Sequence, residues 1–356
     1  MNTYLPKEKV EILKRVGDIS QIAGTKYYSL KDGRGKNVDC VDVRNGNGFD
    51  YTVLPGRGMD IGWCGYQGMP ISYIAKPGIT SPEHFSGERD QWLQCFPGGM
   101  LSTCGLSNVG DYCEDETSGL GKQAFGLHGR ISQQTAKNLC IDEKWEGNDY
   151  IISVSGTDIE AQLRGEKFSL RRTVSSSLGE KCLHIRDVIT NEDFVGRPFM
   201  IMYHMNFGFP LVSEDSEIYV RNKRMFTDTE IARKNATYAF NISKPENGTD
   251  EELYFYETQS VNGMGLAYII NKRLNILGYI KYSGETLPYL TEWKMMGEAD
   301  YVIGLEAGNV IPRGRRYYRE KGQLPVLAAQ QQAVNEIEIG VVCGDEIEKF
   351  LSDERR

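Results

Sequence analysis

The chain has 356 residues, 40% hydrophobic and 25% charged, with 41 Lys and Arg against 49 Asp and Glu for a net charge of −8. That balance belongs to a globular chain able to bury a large core and argues against disorder, while the acidic excess and the lack of a basic stripe argue against a nucleic-acid partner. No window reaches the ~18 consecutive apolar residues that cross a bilayer, so no membrane partner is expected.

The N-terminal stretch MNTYLPKEKVEILKRVGDIS has no uninterrupted apolar core of signal-peptide length, which points to a cytoplasmic protein. Its pattern predicts an amphipathic helix over Lys7 to Val16, within a helical extension spanning 1–20. Beyond it, short β-type runs broken by Gly, Asn and Asp take over. Strands are predicted around Asp50–Leu54, Tyr150–Val154, Phe168–Val174, Lys181–Ile189, Phe199–Phe207, Glu217–Arg221, Leu266–Asn271, Ile276–Tyr282, Tyr301–Glu306 and Asn335–Val342. Leu178-Gly179-Glu180 reads as a hairpin turn, and Asn191 to Gly196 as the next link of a meander. The acidic stretch Glu114 to Gly121 reads as an exposed loop, and the cluster Arg313, Arg315, Arg316, Arg319 as a solvated one. Cysteines at 40, 64, 95, 104, 113, 140, 182 and 343 have no zinc-site spacing and read as reduced thiols; the sequons at Asn235, Asn241 and Asn247 matter only in a secreted eukaryotic protein. No long helix alternates with the strands and no linker divides the chain. The expectation is therefore all-β, one antiparallel β-sandwich domain over 1–356 with few short helices.

One strand points at a site. In MIMYHMNFG, alternation puts Phe199, Ile201, Tyr203, Met205 and Phe207 on one apolar face and Met200, Met202, His204 and Asn206 on the other. A lone histidine there is often a satisfied core residue. Asn206 beside it, with Gly208 following, makes room for a ligand.

The segments GLHGR around His128, Thr190-Asn191 followed by YHMNFGFPLV, DYVIGLEAGN containing Glu306, and LPVLAAQQQAVNEIEIGV resemble, in that order, the motifs of the galactose mutarotase (aldose 1-epimerase) superfamily, over most of the chain from about Phe125. Two earlier runs, RGMDIG from Arg57 and GGMLSTCGLSNVG from Gly98, resemble a narrower aldose-epimerase-like family long labelled as of unknown function. The resemblance implies a galactose-mutarotase-like supersandwich and an isomerase of carbohydrate metabolism. In that chemistry a base takes the anomeric hydroxyl proton while an acid protonates the ring oxygen. By the resemblance Glu306 is the base, His204 the acid and His128 a sugar-binding imidazole, with no cofactor or metal.

Other candidates stay open between two readings. Arg57 and Asp60 either bind sugar hydroxyls or form a structural ion pair. Trp293 and Lys294 either stack on and bond to a sugar or pack in a half-buried strand. His84 and His184 are assigned to no site. Asn206 and Arg130 depart from the family pattern, implying a sugar other than galactose: a pentose, deoxy or modified sugar. Two rivals remain: a metal-dependent sugar isomerase, since two His and a Glu can form a facial triad, and a carbohydrate sensor without turnover. The expected partner is a small-molecule sugar, with a homo-oligomer possible.

Overall fold

The computed structural model describes residues 4–117 and 119–354, and the elements below belong to those residues. Two antiparallel sheets dominate. The larger has eleven strands in the order Gly24–Ser29, Asp39–Arg44, Phe49–Leu54, Asp60–Tyr66, Leu101–Leu106, Met200–Gly208, Tyr301–Gly308, Tyr289–Met296, Glu252–Thr258 and Asn222–Phe226, with Met69–Pro70 paired alongside. The smaller has eight: Lys137–Glu146, Asp149–Ala161, Lys167–Ser177, Cys182–Asn191, Gln332–Cys343, Ile276–Ser283, Met264–Asn271 and Ser216–Val220.

Period-two alternation drives the two sheets together. In Asp149–Ala161, Ile152 and Val154 are fully buried, and Leu170, Val174, Leu183, Ile185 and Ile339 join them from neighbouring strands. The larger sheet answers with Val41, Val53, Ile61, Leu101, Ile201, Tyr203, Met205 and Leu305 in the same cluster. Each such aliphatic side chain contributes about 1.5–3 kcal/mol by leaving water.

Met200–Gly208 is buried along its whole length because both its faces are covered. Phe199, Ile201, Tyr203, Met205 and Phe207 pack between the sheets, as the alternation predicted. Met200 and Met202 face the other way, into a second cluster with Cys104, Phe255, Val302, Trp92 and Phe96.

Behind this strand lies a buried charge cluster. Arg172 Nε and Nη2 donate to the two oxygens of Asp187 at 2.9 and 2.7 Å, and its Nη1 donates to Asp60 Oδ1 at 3.2 Å. Tyr203 donates its hydroxyl proton to Asp187 at 2.8 Å and accepts from Asn335 at 3.1 Å. Asp60 and Tyr203 belong to the larger sheet, Arg172, Asp187 and Asn335 to the smaller, so the network ties the sheets at one point. Burial pushes Asp60 up to about 6 and the adjoining Asp158 up to about 8.

Four expectations are corrected. The helix near Lys7–Val16 spans only Lys9–Leu13, because Glu8 provides no side-chain cap and only Ile12 is buried. The rest of the 1–20 extension holds one 3₁₀ turn beginning at Ile19, while residues 1–3 lie outside the described residues. The link Asn191 to Gly196 does not continue a meander: it carries the chain from the smaller sheet to the larger. The acidic stretch is a hairpin of Cys113–Thr117 and Gly121–Phe125, with Ser118 outside the described residues. The arginine cluster is the helix Gly314–Glu320, whose Arg315 is fully buried, donating to Asp115 at 2.9 Å and Glu166 at 3.0 Å. Arg319 bonds the other oxygen of Asp115.

Removing one partner of a buried ion cluster leaves its counter-charges unpaired, which costs about 3–5 kcal/mol. Arg172→Ala should lower the urea-unfolding free energy by about that much. A loss under ~1 kcal/mol would show that the cluster does not hold the sheets.

Candidate functional site

Register aligns the site. In the antiparallel pairing His204 stands opposite Ser102 on one side and Glu306 on the other, and Glu306 stands opposite Thr291, so four adjacent strands present these residues in one row. Odd positions of Tyr301–Gly308 (Ile303, Leu305, Ala307) enter the inter-sheet core; even positions (Val302, Gly304, Glu306) face the opposite side with His204.

His204 Nε2 lies 3.0 Å from Glu306 Oε1, and both side chains are almost fully buried. The contact is an ion-pair approach rather than a hydrogen bond, and His204 Nδ1 and Glu306 Oε1 lack hydrogen-bond partners. Gly304 makes the space between them: a Cβ there would stand 2.6 Å from Glu306 Oε1 and 3.3 Å from His204 Cε1.

His128 arrives from a loop. Its φ of 56° and that of Gly129, 74°, place both in the left-handed region, and a Cβ on Gly129 would come within 2.3 Å of the Gly105 carbonyl. Gly105 donates its N–H to the His128 carbonyl at 2.9 Å, which fixes this loop against the strand beside His204. The two imidazole centroids are 6.1 Å apart. Burial first, then the neighbouring His204, pushes His128 down to about 3, so its imidazole is neutral at physiological pH.

These residues floor a cavity of about 600 Å³. Its walls include Trp92, Phe96 and Trp293, whose ring centroids lie 6.0, 5.2 and 5.3 Å from that of His204. Trp92 also lies 4.6 Å from His128. Asp300 and Arg313 complete the rim; Asp300 accepts from the Tyr73 hydroxyl at 3.1 Å, and Arg313 Nε donates to Asp228 at 2.9 Å. Trp293 Nε1 donates to Glu251 at 2.7 Å, which sets the tilt of the indole. The volume falls in the ~300–1,000 Å³ range of small-molecule sites, and the aromatic walls alternate with polar groups, among them Asp90, Asp111, Asp250 and Asp300.

His128, His204, Glu306 and Trp293 are thus brought together, and four other expected residues are not. Arg57 is fully buried outside the cavity wall, donating to the Thr80 carbonyl, Gln133 Oε1 and the Cys95 carbonyl at 2.7, 2.9 and 2.7 Å. Asp60 accepts from Thr103 and Arg172, so neither a hydroxyl-binding pair nor an Arg57–Asp60 ion pair describes them. Asn206 spends its amide protons on the carbonyls of Gly98, Gly99 and His204, joining the glycine-rich run to the site strand. Lys294 points to the opposite face from Trp293 and donates to the Tyr238 and Ala239 carbonyls at 2.9 and 3.4 Å; burial lowers its pKa. His84 is exposed on a 3₁₀ turn, and His184 lies on the smaller sheet.

Trp92 and Phe96, four apart around a one-turn helix, were not singled out in the sequence, because nothing in QWLQCF marks which wall the segment covers. Among the described residues the one set of three His, Cys, Asp or Glu side chains whose ligand atoms lie within 4.8 Å of one another is Glu180, Cys182 and His184. His128, His204 and Glu306 therefore do not converge as a facial triad.

A depressed histidine pKa has a sign. Native His128 binds its proton only near pH 3 against 6.5 for an ordinary histidine, so the unfolded state holds more protons between those values and stability falls as pH drops through that window. His128→Gln should flatten the slope of unfolding free energy against pH by up to one proton in that window. Equal slopes in the two proteins would contradict a neutral, desolvated His128.

The family described as a domain of unknown function (DUF4432) matches residues 35–341, and the chain belongs to that family. Its structure is similar to that of a candidate aldose 1-epimerase from Klebsiella pneumoniae, at 19% identity and a TM-score of 0.83 over 93% of this chain and 86% of that one. It is similar also to a galactose mutarotase-like protein from Clostridium acetobutylicum (15% identity, TM-score 0.63, 91% and 100% covered) and to galactose 1-epimerase from Lactobacillus acidophilus (15%, 0.59, 90% and 99%). A search of curated protein sequences finds no match. At these identities the likeness is one of fold: the chain has the galactose-mutarotase-like β-sandwich.

Proposed function

We propose that this member of the DUF4432 family is an aldose 1-epimerase-like isomerase that interconverts the anomers of a free sugar, with Glu306 as general base and His204 as general acid. The observation that carries the reading is the 3.0 Å spacing of His204 Nε2 and Glu306 Oε1 on the floor of an aromatic-walled cavity. The two oxygens that exchange protons in ring opening, O1 and the ring oxygen, are bonded to the same carbon. A base and an acid that serve them must therefore be neighbours, and these two are.

Glu306 takes the proton from O1–H as the C1–O1 bond becomes a carbonyl. The C1–O5 bond breaks, its electron pair stays on O5, and O5 takes the proton of His204. The aldehyde turns about C1–C2. On closure O5 returns its proton to His204 and attacks the other face of C1, while the former carbonyl oxygen recovers the proton from Glu306. Each proton-transfer group is worth ~10²–10⁴-fold over the spontaneous reaction. Neutral His128 offers a donor or acceptor to a ring hydroxyl, and Trp293 offers an apolar wall for a sugar face. The His204 Nδ1 and Trp92 Nε1 atoms, buried without a hydrogen-bond partner, support a polar ligand, since buried polar atoms are ordinarily bonded.

No helix among the described residues is long and apolar enough to cross a membrane, and all eight cysteines are free. We take the cytoplasm as the working compartment.

His204→Asn and Glu306→Gln keep size and remove the proton-transfer group. Each should lower anomer exchange by ~10²–10⁴-fold in saturation-transfer NMR while sugar binding persists. Wild-type turnover in either variant would overturn the assignment, and sugar binding without any acceleration by the wild type would make the protein a sensor. Gly304→Ala gives a gentler test. The new Cβ would stand 2.6 Å from Glu306 Oε1 and only 3.2 and 3.3 Å from Trp293 Cβ and His204 Cε1, all of them side-chain atoms, so folding should survive while the carboxylate is displaced and exchange slows at least tenfold. Unchanged exchange would mean that the position of Glu306 does not govern the reaction.

A further inference from the structure

A second cluster lies on the outward face of the smaller sheet, away from the cavity. Cys182 and His184 are two apart on one strand, so their side chains share a face, and Glu180 reaches them from the turn before it. His184 Nε2 is 3.6 Å from Cys182 Sγ and 3.7 Å from Glu180 Oε2, and all three ligand atoms lie within 4.8 Å of one another. Around a tetrahedral zinc-class ion, ordinary bond lengths place nitrogen about 3.6 Å from sulfur and about 3.4 Å from oxygen. The side chains already stand near those separations.

The surroundings orient the imidazole for such a role. Glu338, opposite His184 in the adjacent strand, holds its Oε2 3.8 Å from Nδ1, and Tyr279 fixes that carboxylate by donating to Oε1 at 2.6 Å. At that distance Glu338 makes no hydrogen bond to the ring, but its negative charge favours the proton on Nδ1 and leaves the Nε2 lone pair for a metal. Glu180 Oε2 is itself steadied by the Ser177 N–H at 2.8 Å. Gly340 pairs with both Cys182 and Tyr279, and a Cβ there would stand 2.7 Å from Cys182 Cβ and from the Tyr279 hydroxyl. Glycine at that point is what lets the two side chains sit side by side.

We propose that Glu180, Cys182 and His184 form a binding site for a zinc-class divalent cation, with Glu338 as the positioning residue on His184 and the fourth ligand position open to water. A thiolate with an imidazole selects zinc-class ions over magnesium or calcium. The site clips the turn before Cys182 to its strand. The sugar-facing residues lie on the far side of the other sheet, so the site stands apart from the proposed chemistry.

Cobalt(II) titration of the full-length protein tests this, because tetrahedral cobalt bound to a thiolate has a charge-transfer absorption and intensified d–d bands. One equivalent should produce both, and zinc should abolish them by displacement. Cys182→Ser should lose the charge-transfer band although Cys113 and Cys140 remain accessible, and Glu338→Gln should weaken binding about 10–100-fold with the band retained. No thiolate band in the wild type, or a band that survives in Cys182→Ser, would overturn the proposal.

Discussion

Everything at the site rests on one buried arginine. Arg172 carries its charge between two sheets where water does not reach, and it is tolerable there only because Asp187 and Asp60 meet it from opposite sides of the core. The arrangement is directional in a way that apolar packing is not. Sliding one sheet over the other would part Asp60 from Arg172 and Tyr203 from Asp187, so the cluster fixes how the sheets face one another. Tyr203, bonded to Asp187, neighbours His204 in the same strand, and the register of the core is thereby passed to the row of side chains on the outer face.

That row illustrates how a sheet builds a reactive pair. His204 and Glu306 lie far apart in sequence, yet antiparallel pairing sets them directly opposite each other, with no loop to position either one. Small residues finish the work: Gly304 clears the space between them, and Asn206 ties the glycine run beginning at Gly98 to the same strand. Aromatic rings from outside the sheet then close off water. Two groups that the sequence offered for contact with a ligand, Arg57 and Asn206, hold up the walls instead.

Much of this was legible beforehand, for a physical reason. The two faces of Phe199–Phe207 could be sorted because alternation is local, and the inter-sheet core takes the expected face. The strands Gly24–Ser29 and Leu101–Leu106 were missed because neither alternates: one is largely exposed and the other buried throughout. The arginine cluster was misread because charge counting sees only neighbours, whereas the carboxylates that bury Arg315 lie 200 and 149 positions away. The same holds for Asp60, whose partner is 112 positions distant. Residues whose role depends on a long-range partner look, in sequence, like surface residues.

The central claim is that C1–O5 breaks while C1–O1 stays intact. An aldose labelled with ¹⁸O at O1, followed by saturation-transfer NMR and mass spectrometry through many enzyme turnovers, tests it directly. Acceleration of anomer exchange with the label retained on the sugar at every turnover is the predicted result. Loss of the label in step with turnover would contradict the account, since it would mean that the anomeric hydroxyl itself departs.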